Sequence, residues 1–366
     1  MNNHIKPGPG IMQIKPYAGG KSGIIGKKSI KLSSNESALG PSLHVKEAFL
    51  KSLDSLAIYP DGKQYALKEA IAKNNNLDIN QIICGAGSDE ILTLIGNAYL
   101  TPGDEVIYPE HAFVLYKIIA LANGAIPIAA PEKDLTADVD SILNLVTSKT
   151  KIIFIANPNN PTGTYLSSSE IKRLQSNIPE NILLIIDGAY AEYVMANNYD
   201  CGVELVSASN NVVMTRTFSK VHALASLRIG WAYCPSHIID VLDRIRGPFN
   251  VSIPSIMAGS AAMNDIDHVN HSVAHNAKWR DHLHNFYTEL GIKVIPSVAN
   301  FLLLDFKNLE NINSNTLEKY LNEKNIYIRN VADYGLPTHL RITIGSEKDN
   351  ETLLGEIQKY VEDTRI

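Results

Sequence analysis

Between about residues 60 and 250 the chain alternates short, almost unbroken apolar runs with longer stretches of helical periodicity, and few architectures accept that pattern. The runs are QIIC (81–84), EVIYP (105–109), AIPIA (125–129), KIIFIA (151–156), ILLIID (182–187), NVVMT (211–215) and IGWAYC (229–234). A strand with one wet face alternates polar and apolar residues, whereas a strand covered on both faces reads as a continuous β-branched run. DGKQYALKEAIAKNN and SDEILTLIGNAYL have the pattern of helices that cover such a sheet. The expectation is an α/β fold, with helices crossing over between the strands of a large, mostly parallel sheet. Ligands of such sheets gather at the carboxyl ends of the strands.

After Pro254 the texture changes. A long helical stretch over roughly 255–289 gives way to IKVIP (292–296), NFLLLDF (300–306), IYIRN (326–330) and HLRITIG (339–345), with helices expected near 314–323 and 348–362. This reads as a smaller α+β domain. The expected division is an N-terminal segment over 1–45, a large α/β domain over 46–253, an interdomain helix over 254–290 and a small domain over 291–366. Pro7, Pro9 and Pro16 keep the N-terminal segment extended, and it is expected to pack on the small domain.

The remaining bulk properties exclude classes rather than select one. A net charge of −5 argues against binding nucleic acid or an anionic membrane surface. No apolar run reaches the length of a membrane-spanning helix, and MNNHIKPGPG lacks the apolar core of a signal peptide. Cys84, Cys201 and Cys234 are odd in number and widely spaced, which fits a reducing cytoplasm better than a disulfide framework.

Five polar motifs fall near the expected strand ends. TRTFSKVHALASLRIG (215–230) sets Lys220 behind Thr217 and Ser219, with Arg228 eight residues on; a solvated loop or a phosphate cradle with an adjacent amine would both look like this. CGAGSDEIL (84–92) leaves a strand and opens a helix at Gly87, Ser88 and Asp89, where free N–H groups and the helix dipole suit a phosphate. An ordinary capped helix shares those residues. ANPNNPTG (156–163) is a stiff turn in which Asn160 can donate to an anionic oxygen. Asp187 ends the run LLIID, where a carboxylate is desolvated and calls for a cationic or N–H partner, and Tyr190 follows three residues later. Arg329 and Arg341 lie in apolar strands, where a guanidinium needs an anion, either a ligand or an internal carboxylate. A phosphate cradle, an amine, a carboxylate for a ring nitrogen and anion-binding arginines together match the needs of pyridoxal phosphate chemistry.

On these motifs, and on PYAGGK (16–21), LSSNES (32–37), YPDGKQYALKEAIA (59–72), EHAFVLY (110–116), ANFLLLDF (299–306) and YGLPTHLRITIGSE (334–347), the chain resembles the fold type I pyridoxal-phosphate aminotransferases. Within them it is most similar to the histidinol-phosphate aminotransferases, over nearly its whole length. The resemblance implies a large domain built on a seven-stranded sheet and the cofactor pyridoxal 5'-phosphate. It implies amino transfer between L-histidinol phosphate and 2-oxoglutarate. Lys220 would bond the cofactor aldehyde and then move the substrate α-proton, with its pKa lowered by burial and nearby cations. Thr217, Ser219, Arg228 and the backbone of Gly87, Ser88 and Asp89 would hold the cofactor phosphate. Asp187 would pair with the ring nitrogen, Asn160 and Tyr190 with the phenolic oxygen, and Phe113 would stack on the ring. Arg341, Arg329, Tyr17 and Asn35 would meet the substrate. Tyr59 would reach the phosphate site of a neighbouring subunit in a homodimer, and Tyr17 the neighbour's substrate.

Two positions depart from the family pattern: NESALG stands where Asn-Glu-Asn-Pro is common, and Gly188 where an acidic residue is frequent. The resemblance also admits an aromatic amino acid aminotransferase, or a decarboxylase of phosphorylated amino acids. His268, His271, His275 and His282 share a helical stripe, but without a nearby Cys or the Glu of a zinc-protease helix they read as a polar helix face and not as a metal site.

Overall fold

The computed structural model describes residues 5–21, 23, 29–309 and 311–365. The large sheet has seven strands: β1 (Ile82–Gly85), β2 (Glu105–Pro109), β3 (Ile126–Ala130), β4 (Thr150–Ala156), β5 (Leu183–Asp187), β6 (Val212–Thr217) and β7 (Gly230–Tyr233). Their spatial order is β1-β7-β6-β5-β4-β2-β3. The pairs from β6 through β3 are parallel, and β7 runs antiparallel to both its neighbours.

The unbroken apolar runs have a simple cause. On β4, Ile153 and Ile155 point into one core while Ile152 and Phe154 point into another on the opposite face. The same division separates Leu184 and Ile186 from Ile185 on β5, and Val212 and Met214 from Val213 on β6. All of these side chains are fully buried. Both faces of the sheet are therefore dry, and no position in the central strands is left for a polar residue until the strand ends.

Those ends lie together. Ala156 on β4 is in register with Asp187 on β5, and Asp187 with Thr215 on β6. Because β7 is antiparallel, its first residue, Gly230, lies at the same edge, paired with Thr217 on one side and Gly85 on the other.

A second sheet of four antiparallel strands comprises β8 (Lys293–Ile295), β9 (Phe301–Asp305), β10 (Arg329–Asn330) and β11 (His339–Thr343), in the order β8-β9-β11-β10. Its apolar side packs with Trp279, Leu283, Leu317, Leu353 and Ile357 from the flanking helices. Residues 30–32 join this unit: Ile30–Lys31 pairs in parallel with Ile326–Tyr327, and Leu32 O accepts from Thr343 N at 3.0 Å.

Local structure departs from the sequence expectation in three places. The single strand expected over 326–330 divides at Ile328, since residues 326–327 pair with the N-terminal segment and β10 pairs with β11. The single long helix expected over 255–289 is two, Ile253–Asn264 and Ile266–Glu289, because the Asp265 side chain accepts from His268 N and starts a new helix. A two-residue hairpin, Glu132–Lys133 with Thr136–Ala137, turns through Asp134 and Leu135, both at positive φ. Leucine gives no signal for such a turn. No described helix is long and apolar enough to cross a membrane.

Candidate active site

The convergent strand ends open into a cavity of about 360 Å³, whose far wall is formed by the N-terminal segment and the small sheet. Lys220, Asp187, Tyr190, Asn160, Thr217 and Ser219 line it, as do Arg228, Ser88, Asp89, Phe113, Asn35, Tyr17 and Arg341. Three expected residues are not among those that line it. Arg329 is buried beside Arg341 and donates to Ala18 O at 3.0 Å. Tyr59 is 80% exposed and stacks on Phe249, with ring centroids 4.7 Å apart. Gly87 immediately precedes the lining residue Ser88, and its N–H is already engaged by Gly85 O at 2.8 Å.

The phosphate end is built from two loops. Gly87, with φ of 86°, precedes the helix Ser88–Tyr99 and provides no side-chain cap. No hydrogen bond to the amides of Ser88 and Asp89 is found among the described residues, and they face the cavity at the positive end of the helix. Opposite them, Ser219 N donates to Thr217 Oγ1 at 3.1 Å, which closes a tight turn. Arg228, at φ 51°, reaches back over this turn. Its guanidinium donates to Ser219 Oγ at 3.4 Å, to Ala225 O at 3.1 Å and to Asp89 Oδ2 at 3.2 Å. A Cβ at Gly87 would stand 2.6 Å from Arg228 Nη2, so glycine is what lets the guanidinium lie against the helix start.

Lys220 lies between this cradle and the second sheet. Its Nζ donates to Ser34 O at 3.2 Å and sits 5.5 Å from the centroid of the Tyr190 ring. Burial lowers the amine to a pKa of about 8, and the nearby Arg341 guanidinium acts in the same direction.

Asp187 has three protein donors. Oδ2 accepts from Tyr116 OH at 2.8 Å, Oδ1 accepts from Thr215 Oγ1 at 3.1 Å, and the Ala189 N–H adds a third bond. Burial nevertheless outweighs them and raises the carboxyl to about 6. A cation at this point would relieve that desolvation.

Tyr190 OH accepts from Asn35 Nδ2 at 2.9 Å, and Asn35 Oδ1 accepts from Thr343 Oγ1 at 3.1 Å. The Asn35 carboxamide thus has protein partners at both ends and orients the Tyr190 hydroxyl at the cavity wall. Asn160 Oδ1 accepts from Arg341 Nη1, which leaves the Asn160 amide N–H groups without a partner among the described residues. Arg341 also donates to Ser33 O at 2.8 Å and lies over the Phe301 ring, while its buried Nε has no partner among the described residues.

Tyr17 lines the cavity of its own chain. The segment carrying it is tied down locally, by Arg329 on Ala18, by Ser33 Oγ on Lys21 O and by the Lys21–Glu318 ion pair. Gly188 sits where a Cβ would be 3.1 Å from Arg216 Cδ, and Arg216 takes Glu192 as its ion-pair partner at 2.7 Å. Of the histidine stripe, His268 meets Gly40 O and His275 meets Gly345 O, so the helix Ile266–Glu289 laces the N-terminal segment to the small sheet.

Sequence reasoning missed Tyr116 and Thr215. Both stood inside quoted motifs, Tyr116 three residues after Phe113 and Thr215 two before Thr217. Strand register brings Thr215 to Asp187, and the packing of the helix Leu115–Ala122 brings Tyr116 to it. The donor set fits pyridoxal phosphate: orphan amides and Arg228 for the phosphate, a buried carboxylate in need of a cation, and an amine between them with a lowered pKa.

Comparison with known proteins agrees with this geometry. Residues 27–357 match the family Aminotransferase class I and II. The chain is 48% identical over 357 residues to a histidinol-phosphate aminotransferase of Rhodopseudomonas palustris (strain HaA2), covering 97% of this chain and 98% of that one. It is 46% identical to the Nitrobacter hamburgensis protein of the same name, with the same coverage. Among solved structures, the histidinol-phosphate aminotransferase of Sinorhizobium meliloti in complex with pyridoxal-5'-phosphate superposes with a TM-score of 0.88 at 22% identity, covering 99% of each chain. That from Clostridium acetobutylicum gives 0.84 at 22% identity, covering 91% of this chain and 99% of that one.

Proposed function

This chain belongs to the class I and II aminotransferases, and from that premise we propose that it transfers an amino group between L-histidinol phosphate and 2-oxoglutarate in histidine biosynthesis. The observation that carries the reading is Lys220: a half-buried lysine whose amine is lowered to about 8, in a cavity with an anion cradle at one end and Arg341 at the other.

Pyridoxal phosphate, when bound, supplies an aldehyde that takes up the amino group and a ring that accepts the electron pair released at the substrate α-carbon. The protein residues do the rest. Ser88, Asp89, Thr217, Ser219 and Arg228 hold the phosphate. Asp187 holds a proton on the ring nitrogen, which keeps the ring an electron acceptor. Asn160 and Tyr190 donate to the phenolic oxygen, and Phe113 packs on the ring face. Lys220 Nζ removes the proton from the substrate α-carbon, a role for which a pKa near working pH is suited. Arg341, with its unpartnered Nε, binds the substrate anion: a carboxylate of glutamate in one half-reaction and the phosphate of histidinol phosphate in the other. One arginine serving two anions in turn implies ping-pong kinetics.

The active unit is read as a homodimer. The surface from Leu43 to Tyr59 exposes Leu43, Leu50, Leu53, Leu56 and Ile58, an apolar patch of the kind that marks an interface. Tyr59, exposed at its end, would enter a neighbour's phosphate site. A cytoplasmic location is consistent with three free cysteines, Cys84 and Cys234 both buried.

The test is a steady-state comparison on cofactor-loaded protein. 2-Oxoglutarate-dependent turnover of L-histidinol phosphate is expected to exceed that of L-phenylalanine and L-tyrosine by about a hundredfold in kcat/KM, or about 2.7 kcal/mol of transition-state discrimination. Equal or reversed values would move the protein to the aromatic aminotransferases.

A further inference from the structure

Tyr116 has no role in the scheme above, yet its hydrogen bond to Asp187 is shorter than that of Thr215. It is fully buried on the helix Leu115–Ala122, which follows β2. Its ring is fixed from two sides: it stacks on Phe154 of β4, with centroids 4.6 Å apart and planes 2° from parallel, and meets Phe113 edge-on at 6.0 Å. Only the hydroxyl is left to act, and it donates to Asp187 Oδ2 at 2.8 Å. The turn that leads into this helix, closed by Tyr116 N on Phe113 O at 3.2 Å, thus places both Phe113, on the cavity wall, and the donor that orients the carboxylate.

We propose that Tyr116 is a positioning residue for this reaction, whose hydroxyl fixes the plane of the Asp187 carboxylate and holds it ionised for the ring nitrogen of the cofactor. The proposal rests on the reading of the cavity as a pyridoxal phosphate site.

Three observations support it. Tyr116 is a donor at any working pH, because burial and the adjacent carboxylate hold its phenol well above the ordinary value. The Asp187 carboxylate is desolvated enough that loss of one of its donors would favour the protonated form. A protonated Asp187 offers no charge to a ring nitrogen. The titratable groups facing Asp187 are Tyr116 itself, Asp89 from the helix after β1 and Tyr190 from the loop after β5. Asp89 is an anion and Tyr190 is neutral, so neither replaces what the Tyr116 hydroxyl supplies.

The experiment compares the parent protein with Tyr116→Phe, which keeps the stacked ring and removes one oxygen, and with Thr215→Val, which removes the donor on Oδ1. In the cofactor-free proteins, the carboxyl band of Asp187 is followed by infrared spectroscopy against pH and assigned by its loss in Asp187→Asn. In Tyr116→Phe its midpoint is expected at least one pH unit higher than in the parent. Thr215→Val, with its longer bond, is expected to show a smaller shift of the same sign. In parallel, affinity for pyridoxal phosphate is measured against pH. Tyr116→Phe is expected to bind roughly fivefold more weakly than the parent at pH 6, as a one-unit shift of the midpoint requires, and within threefold of it at pH 9. Parent-like midpoints and a parent-like pH dependence in Tyr116→Phe would overturn the proposal. A shifted infrared midpoint together with equal cofactor affinity in Asp187→Asn and the parent would mean that Tyr116 governs the carboxylate but that the cofactor reading of Asp187 is wrong.

Discussion

Gly230 on β7 lies directly against the backbone nitrogen of Ser88: a Cβ at Gly230 would stand 2.1 Å from it and 2.5 Å from the carbonyl carbon of Gly87. The close approach lets the start of the helix Ser88–Tyr99 sit at the sheet edge, with its free amides aimed at the cavity. Gly230→Ala must push that helix start away. Overpacking of this kind costs about 1–3 kcal/mol, and the displaced amides lose the phosphate. The expected result is a lower urea midpoint for the cofactor-free protein and faster cofactor loss on dilution, followed by absorbance.

Lys220 carries the clearest pH signature. Burial holds its amine at about 8, below the 10.5 of a free lysine. A lysine with a lowered pKa is neutral, and so nucleophilic, above the shifted value. Competitive acylation of the cofactor-free protein is expected to label Lys220 with a midpoint near pH 8, while surface lysines follow the ordinary value. A midpoint near 10 would contradict the burial argument. Lys220→Ala is expected to lower turnover by at least about 10²–10⁴-fold, the usual worth of a general base.

Asp187 is expected to destabilise the cofactor-free fold. A carboxyl whose folded pKa is raised from 3.8 to about 6 binds its proton more tightly when folded. Its contribution is therefore favourable at low pH and is lost as pH rises through about 6. Asp187→Asn removes that penalty, on the order of 2–3 kcal/mol for a two-unit shift. The variant's stability advantage is expected to grow between pH 4 and 7 in parallel urea titrations, while its affinity for pyridoxal phosphate falls.

Arg341 and Arg329 are expected to behave differently, although both are buried arginines on adjacent strands in mutual register. Only Arg341 lines the cavity. Arg341→Lys loses the planar fork, and with charge-assisted bonds worth about 1.5–3 kcal/mol the KM for both substrates is expected to rise roughly 10–150-fold. Arg329→Lys, which disturbs the bond to Ala18, is expected to alter thermal stability with little change in KM.

Much of this was legible because sheet burial and ligand binding leave local marks. Seven apolar runs marked the seven strands of the large sheet within one or two residues, because a sheet covered on both faces tolerates little else. Lys220, Asp187 and Arg228 stood out because charges next to such runs require a partner. Other features depend on neighbours distant in sequence. Tyr116 reads as a core aromatic until Asp187 is placed opposite it, 71 residues away. Arg329 and Arg341 look equivalent in sequence and, as register partners of β10 and β11, share one face of the small sheet; only the fold shows that Arg341 lines the cavity while Arg329 is taken up by Ala18 O of the N-terminal segment. The carboxylates of Asp305 and Asp187 illustrate the same limit: each ends an apolar strand, but of the two only Asp187 lines the cavity.

The most direct test of the account separates the two half-reactions. Protein loaded with pyridoxal phosphate is titrated with L-histidinol phosphate in the absence of any oxo acid, and the visible absorbance of the bound cofactor is followed. The account predicts that one equivalent per site abolishes that absorbance and that 2-oxoglutarate restores it, whereas Lys220→Ala shows neither change on the same timescale. An absorbance that L-histidinol phosphate leaves untouched, while an aromatic amino acid abolishes it, would contradict the assignment of substrate; no response to any amino donor would contradict the assignment of the reaction.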